Sequence, residues 1–372
     1  MKFNTLLLAL GCTAGFFACQ KRQAPPGTNT VPVTTIRWDV DSLRPLSNYI
    51  ENIELIPLEN ISEAAFATVD QITYRDHRYY ILDRYGSNKL LAFDDKGNFI
   101  RSFGRKGRGP GEYVALQSVS FKADTLLLLD RIGAKLIMYD TTGTYISEVK
   151  MNTKDASQAV WLSDGFMFYH PLYQEEPIDN TVELWKTDAK GLHLHNYFMY
   201  HQQSSRASYA APITESDSTM ILNRYCNDTL IVFDRRGNIR EALFWDFGKY
   251  AMPQQLRLEV NLKENNYNRL SSTVFPVGPF LTGTAMNRNK LLVFLYNPQN
   301  RQIYIDPTGK GIPALPSNRA AKDSTAIVSW LSYDMKDKFV ASLGEDRMSK
   351  ILPALENGQV FLVVYHLKND AL

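Results

Sequence analysis

The sequence of 372 residues is poor in cysteine, and this limits how its fold can be held together. It contains only 3 cysteines, at Cys12, Cys19 and Cys226. The first two lie in an N-terminal segment that we expect to be processed, so one cysteine, Cys226, remains for the folded part. An internal disulfide is therefore excluded there. Cys226 lies between two apolar runs without an evident catalytic base, and we predict a neutral structural thiol.

The sequence also lacks an excess of charge of either sign and lacks long apolar runs after its N-terminus. It has 41 Lys and Arg against 39 Asp and Glu, a net charge of +2. Such a balance argues against a nucleic-acid partner. No stretch after the N-terminus approaches the roughly 18 apolar residues that a membrane-spanning helix needs. With 44% hydrophobic residues, the composition is that of a globular protein.

The motifs of several large enzyme classes are absent as well. The sequence has no Gly-x-Ser-x-Gly elbow, no His-Glu-x-x-His, no phosphate loop and no dinucleotide fingerprint. No catalytic residue is predicted. A site built from scattered side chains would have no local signature and stays open.

The N-terminus carries a targeting signal. Lys2 precedes an apolar run that ends at Phe16-Phe17-Ala18-Cys19, which predicts a signal peptide over residues 1–18. Its end resembles the lipobox of bacterial lipoproteins, in which the cysteine becomes lipidated, although Phe16 stands where Leu is commoner. We therefore predict lipidation at Cys19, a flexible tether over residues 19–34 and attachment to a membrane of the cell envelope, on its periplasmic or surface face. The alternative is an ordinary signal peptide cleaved near Ala18.

An internal repeat dominates the rest of the chain. Apolar runs are separated by an Asp-x-x-Gly turn, in which Asp caps the turn and Gly takes the left-handed conformation. The Asp-to-Asp steps are 46, 48, 46 and 72 residues, the last indicating an insertion. The five turns are Asp94–Gly97, Asp140–Gly143, Asp188–Gly191, Asp234–Gly237 and Asp306–Gly309.

This period predicts an all-β propeller of four-stranded antiparallel blades over residues 35–372. Five blades carry the turn. A sixth follows if strands from the N- and C-terminal ends of the domain pair in one blade and close the ring, with seven blades as the alternative. The segment 252–267 predicts a helical insertion near blade five, and a second helix is expected from Tyr333 to Leu343 or beyond.

One segment after the first repeat carries a resemblance to a known family. Gly107-Arg108-Gly109-Pro110-Gly111-Glu112-Tyr113, together with Ile56-Pro57-Leu58-Glu59 and the turn at Asp94, resembles the six-bladed β-propeller lipoproteins of Bacteroidota. That family is similar to NHL-repeat propellers. The resemblance covers roughly residues 50–372 and implies a fold and a location more than an activity.

The same segment supplies candidate ligand-binding residues. Glycine-rich backbone beside Arg105 and Arg108 can cradle an anion, whereas the structural alternative is a crossover that Glu112 and Tyr113 lock by hydrogen bonds. His170 is a further candidate for a pocket. His193 and His195 alternate on one strand face, but a third metal ligand is not evident, so no metal site is predicted.

We therefore expect a monomeric, lipid-anchored binding or scaffold module whose ligand is a glycan, a peptide or an envelope protein. No cofactor is expected. One alternative is a metal-assisted hydrolase or lactonase with an axial site, for which a divalent cation such as calcium would be needed. Another is a structural component of an outer-membrane uptake assembly.

Overall fold

The computed structural model describes residues 31–38, 44–152, 155–172, 176–177, 181–201, 204–205, 207–258, 266–305, 311–313, 320–323 and 325–368. Pro32–Leu372 forms one compact unit. The predicted signal peptide, Cys19 and most of the predicted tether lie outside the described residues. The first strand starts at Val33, two residues before the start of the propeller that the sequence analysis places at residue 35.

Three strands precede the first complete blade: β1 (Val33–Arg37), β2 (Arg44–Pro45) and β3 (Ile50–Pro57). Blade 1 contains β4 (Gln71–Arg75), β5 (Arg78–Asp83), β6 (Lys89–Asp94) and β7 (Phe99–Phe103). The crossover to blade 2 holds the short pair β8 (Arg105–Lys106) and β9 (Glu112–Tyr113). Blade 2 contains β10 (Leu116–Lys122), β11 (Thr125–Asp130), β12 (Lys135–Asp140) and β13 (Tyr145–Lys150).

Blade 3 contains β14 (Gln158–Trp161), β15 (Gly165–Tyr169), β16 (Val182–Asp188) and β17 (His193–Met199). Blade 4 contains β18 (Ile213–Glu215), β19 (Thr219–Leu222), β20 (Thr229–Asp234) and β21 (Ile239–Asp246). Blade 5 contains β22 (Arg269–Leu270), β23 (Phe275–Val277), β24 (Phe280–Asn287), β25 (Lys290–Asn297) and β26 (Gln302–Ile305). Blade 6 contains β27 (Ala320–Lys322), β28 (Ala326–Leu331) and β29 (Phe361–Leu367).

The N-terminal strands complete the outer edges of three blades. β1 adds to β21 and β2 to β26, both in parallel, and β3 pairs antiparallel with β29 as the outer strand of blade 6. The sheet of blade 6 thus joins both ends of the domain. The predicted six-bladed propeller, closed by N- and C-terminal strands in one blade, is confirmed.

Continuous apolar strands arise because each blade is covered on both faces. In β11, Leu126 and Leu128 pack with residues of blade 1, whereas Leu127 and Leu129 pack with residues of blade 3. Alternate side chains of a strand point to opposite faces. One apolar run therefore serves two neighbouring interblade cores.

The Asp-x-x-Gly turns have the predicted geometry in blades 1 to 4. Asp94 Oδ1 accepts the backbone N–H groups of Lys96 (2.9 Å) and Asn98 (2.8 Å). Gly97 has a φ of 85°, which an L residue adopts at a cost. The fifth turn, Asp306–Gly309, lies outside the described residues.

Two α-helices, α1 (Lys336–Leu343) and α2 (Glu345–Glu356), lie between β28 and β29. They include the helix predicted after Tyr333. The insertion over 252–267 contains a 3-10 helix at Gln254–Leu258, and residues 259–265 lie outside the described residues. None of the helices in the described ranges is long and apolar enough to cross a membrane.

Candidate functional site

A cavity of about 1020 Å³ lies at the centre of the ring. The face of the ring that carries the turns between the second and third strands of the blades is called the upper face. The face that carries the turns between the first and second strands is called the lower face. The cavity runs from Asp70 and Ala210 at the upper face to Asp76, Asp217 and Asp323 in turns of the lower face. Its volume is at the upper end of ligand pockets in proteins.

The cavity wall is made of small hydroxyl residues and charged side chains. Nine of its lining residues are Ser or Thr, for example Thr73, Thr214 and Ser272. The charged lining residues are five acids and two bases, namely Asp70, Asp76, Glu215, Asp217, Asp323, Arg75 and Arg235. Such a wall presents many hydrogen-bond donors and acceptors.

Glu215, which lines the cavity in blade 4, is hydrogen-bonded to blade 2. Its Oε2 accepts hydrogen bonds from Arg235 Nη1 (2.7 Å) and from Ser120 Oγ of blade 2 (3.0 Å). Burial raises the pKa of Glu215, and the charge of Arg235 opposes that rise. Arg75 of blade 1 makes two long ion pairs, from Nη1 to Asp217 Oδ1 and from Nε to Asp76 Oδ2, both at 3.5 Å. Its Nε is buried and makes no hydrogen bond. The cavity thus contains a guanidinium that the chain only partly satisfies.

The upper end of the cavity is bordered by the crossover between blades 3 and 4. Arg84, in the upper turn of blade 1, donates from Nη1 to the carbonyl oxygen of Ala210 (3.0 Å) in this crossover. Tyr209 packs against Tyr225 with ring centroids 5.4 Å apart. Since blades 1 and 4 face each other across a six-bladed ring, the crossover reaches over the cavity.

Side-chain amides fix the inner strands that form the wall. Gln158 of blade 3 accepts the N–H of Ile213 (2.8 Å) and donates to its carbonyl oxygen (2.7 Å). Gln71 makes the same pair of contacts with Val119 (3.4 and 3.0 Å). These bonds tie inner strands across blade boundaries, so the wall is preorganised.

The glycine-rich crossover that the sequence singled out lies between blades 1 and 2, away from the cavity lining. Its cradle already holds an anion, the carboxylate of Glu112, which accepts Gly109 N–H (2.8 Å) and Arg105 Nε–H (2.7 Å). These bonds lower the pKa of Glu112, with the Gly109 N–H contributing most. This geometry corresponds to the structural alternative of a locked crossover.

The other candidates in the crossover differ in exposure. Tyr113 is buried, and burial raises its pKa to about 12. Arg105 and Arg108 are exposed on the surface. The structure therefore brings Arg105 and Glu112 together, and the backbone N–H of Arg108 also helps to hold the Glu112 carboxylate. None of the four residues lines the central cavity.

His170 lies at the upper end of blade 3. It is 4% exposed, with Nδ1 2.7 Å from the carbonyl oxygen of Asp155 and Nε2 2.8 Å from Glu176 Oε2. It does not line the central cavity. Cys226 is buried, and its burial raises the pKa of the thiol, which is consistent with a neutral structural cysteine.

Potential metal ligands do not gather in the described part of the chain. No group of three or more His, Cys, Asp or Glu there could hold a metal ion. His193 and His195 are both exposed, and His193 Nε2 lies 2.6 Å from Asn196 Oδ1.

The cavity residues Arg75, Glu215 and Arg235 are functional candidates that the sequence analysis missed. In the sequence, only their positions in the repeat could have indicated that they lie near the cavity. Arg75 and Glu215 are the last residues of the inner strands of blades 1 and 4, and Arg235 follows the Asp of a repeat turn. Charged residues that end an inner strand lie near the axis of a propeller, and this could have been inferred once the strands were aligned.

Comparisons with known proteins agree with the fold. A protein of Bacteroides fragilis that is described as exported has a structure similar to this chain, with a TM-score of 0.69, 17% identity and coverage of 90% of this chain and 100% of that one. A member of the DUF4221 family from Bacteroides vulgatus has a TM-score of 0.56 and 12% identity, over 86% of this chain and 97% of that one. No curated protein matches the sequence. The family model described as "Domain of unknown function (DUF4934)" matches residues 30–360, and the chain belongs to that family.

Proposed function

We propose that this protein is a binding module of the cell envelope that takes a small, hydroxyl-rich ligand, a glycan fragment, in its central cavity. The single observation that carries the proposal is the central cavity of about 1020 Å³ with its wall of nine Ser and Thr residues and seven charged ones. A ligand of that size must satisfy these groups when it displaces their water. Sugars carry the matching density of donors and acceptors.

The charged and aromatic side chains of the wall support the same ligand class. Carboxylates such as Asp217 and Asp323 can accept hydrogen bonds from sugar hydroxyls, and the Arg75 guanidinium can donate hydrogen bonds to the oxygens of these hydroxyls. The rings of Tyr209 and Tyr225 stand at one end of the cavity. Aromatic rings offer the apolar surface that the C–H faces of a sugar need.

The test is isothermal titration calorimetry of the chain from Pro32 against a panel of di- and trisaccharides and of matched di- and tripeptides. Binding of at least one saccharide, lost in Thr73→Trp, is the expected result because the indole would occupy the cavity at the inner strand β4. Ser102→Trp, on the exposed outer strand β7, is the matched control and should bind as the original chain does. Binding of peptides alone would replace the glycan by a peptide, and no binding of either class would reject the cavity as a binding site.

We propose that the protein is attached to a membrane of the cell envelope, on its periplasmic or surface face, by a lipid anchor at Cys19. The apolar run before Cys19 and the description of a structural neighbour as exported support this location. We expect cells that express the full chain to incorporate labelled palmitate into it, and Cys19→Ala to abolish the label. A labelled Cys19→Ala chain, or an unlabelled original chain, would contradict the anchor.

A further inference from the structure

Two neighbouring repeats place a large apolar side chain at the same point of the upper face. The turn after β5 reads Asp83-Arg84-Tyr85-Gly86, and the turn after β11 reads Asp130-Arg131-Ile132-Gly133. Tyr85 is 71% exposed and Ile132 is 50% exposed. Both residues belong to hydrogen-bonded turns rather than to the lining of the central cavity. They therefore project from the face.

The two turns are held together by direct contacts. Asn88, at the end of the first turn, accepts the N–H of Leu116 (2.9 Å) and donates to its carbonyl oxygen (3.1 Å). The preceding residue, Ala115, donates its N–H to Asp130 Oδ1 (2.9 Å) and accepts the N–H of Arg131 (3.1 Å). A continuous path of hydrogen bonds thus links the turn that carries Tyr85 to the turn that carries Ile132.

The crossover that connects these blades adds positive charge on the same side. The crossover begins after Phe103, the last residue of β7. Phe103 pairs with Leu90 near the start of β6, and β6 follows the turn that carries Tyr85. Lys106 and Arg108 are exposed there, and neither side chain has a hydrogen bond or ion pair within the described part of the chain. The acids of this region are already engaged: Glu112 by Arg105, and Asp83 and Asp130 by backbone N–H groups.

We propose that Tyr85, Ile132, Lys106 and Arg108 form a docking surface for an anionic lipid membrane. Projecting aromatic and aliphatic side chains partition into the interfacial region of a bilayer, and tyrosine favours that depth. Unpaired cations beside them are attracted to anionic headgroups. The sign of the exposed charge and the projection of the apolar side chains together favour a lipid surface over a peptide. Docking by the upper face leaves the lower opening of the cavity toward the solvent.

The experiment is co-sedimentation of the chain from Pro32 with vesicles at 0.1 M salt. One vesicle set contains phosphatidylglycerol and phosphatidylethanolamine, and the other contains phosphatidylcholine alone. We expect binding to the anionic vesicles, weakened on the order of tenfold or more in Lys106→Gln/Arg108→Gln and by raised salt. Tyr85→Ala/Ile132→Ala should weaken it to a similar degree.

Two matched controls accompany these variants. Leu192→Ala/Leu194→Ala removes apolar side chains of comparable exposure, 64% and 52%, from the outer part of blade 3. Lys190→Gln/Arg236→Gln removes two exposed cations from turns on the opposite face. Both controls should bind as the original chain does.

Three outcomes would overturn the proposal. These are no binding to anionic vesicles, equal binding to phosphatidylcholine, or equal losses in the controls. Binding of soluble polyglutamate that depends on Lys106 and Arg108 but not on Tyr85 and Ile132 would also overturn it, in favour of an acidic polypeptide partner. These surface residues lie outside the cavity lining, so the outcome is independent of glycan binding.

Discussion

Equivalent residues of the repeat use their side chains in two different ways. Asp83 accepts the backbone N–H groups of Ala67, Gly86 and Ser87 at 2.7–2.8 Å. Asp130 likewise accepts the N–H groups of Val114 and Ala115, both at 2.9 Å. At the matching place, Asn223 accepts Val274 N–H of the next blade (2.7 Å) and donates to Pro212. The carboxylates of Asp83 and Asp130 thus hold the segment that leads into their own blade, whereas the amide of Asn223 also connects blade 4 to blade 5.

This difference predicts the effect of Asp83→Asn. The amide cannot accept hydrogen bonds through its NH2 group, so at least one buried N–H or O–H donor loses its partner, at a cost of about 1–3 kcal/mol in the free energy of unfolding. Urea denaturation at pH 7 measures the loss. Asp124→Asn, in an exposed turn of blade 2, should change stability by less than about 0.5 kcal/mol.

The same substitution should change the pH dependence of stability. Burial alone would raise the pKa of Asp83, but the hydrogen bonds that it accepts outweigh burial and lower the pKa to about 2. A lowered folded pKa contributes stability that is present above the unfolded value near 4 and is lost as pH falls toward 2. The difference between the original chain and Asp83→Asn should therefore shrink over that range. A constant difference from pH 5 to pH 2 would contradict this account.

The buried cavity carboxylate of Glu215 is held by Arg235 and Ser120, and no group of three or more His, Cys, Asp or Glu in the described part of the chain could hold a metal ion. We therefore expect that EDTA leaves the melting temperature of the purified chain unchanged and that elemental analysis finds no stoichiometric divalent ion. A bound ion whose removal lowers the melting temperature would favour the hydrolase alternative and would justify a screen of esters and lactones.

At the scale of an element, the crossover between blades 1 and 2 is rich in glycine, yet internal hydrogen bonds to Glu112 fix its conformation. Its glycines leave room for the carboxylate of Glu112. A Cβ at Gly107 would lie 2.0 Å from Glu112 Oε2, whereas a Cβ at Gly109 would lie 3.1 Å from it. The space at Gly107 is therefore needed for the internal ion pair with Arg105.

Gly107→Ala and Gly109→Ala form a matched pair for this element. Neither glycine has a positive φ, so the difference between them reports space rather than backbone conformation. We expect Gly107→Ala to expel the Glu112 carboxylate and to cost about 1–3 kcal/mol, and Gly109→Ala to cost less. Limited proteolysis within residues 104–112 should be faster in Gly107→Ala. Equal stability and equal cleavage of the two variants would show that Glu112 does not lock the crossover.

At the scale of the whole molecule, ring closure depends on residues far apart in the chain. β3 pairs with β29 over seven register positions, from Pro57 opposite Phe361 to Ile50 opposite Leu367. The interblade core at this point combines Ile56 with Val364 and with Phe93 of blade 1. Loss of β3 would open this core and expose the edge of β29.

A chain that begins at Glu59 tests this closure. We expect it to lack a cooperative thermal transition or to aggregate, because blade 6 would have three strands and part of the core between blades 6 and 1 would be exposed. Blades 4 and 5 would also lose their added edge strands, β1 and β2. The chain that begins at Pro32 is the control and should unfold in one transition. Co-expression of residues 32–58 as a separate fragment should restore solubility to the shortened chain. Equal melting temperatures of the two chains would contradict the role of β3.

The sequence by itself determined the architecture of this protein. The conformation of a turn depends on local residues, so Asp and Gly at a fixed spacing identify each repeat in the sequence. Continuous apolar strands indicate that both faces of a blade are covered by neighbouring blades. The strand at residues 360–365, which has no turn after it, indicated the closing blade. Lipidation at Cys19 stays a prediction from the same kind of local signal.

Only the tertiary structure showed the central cavity in which we propose that a ligand binds. Arg75, Ser120, Glu215 and Arg235 come from three blades, and their approach depends on how inner strands lean toward the axis. No spacing along the chain encodes that approach. The conspicuous glycine-rich segment, in contrast, has its cradle filled by its own Glu112. Local chemistry thus specified the blades, whereas the long-range arrangement of the ring decided which polar groups remain available.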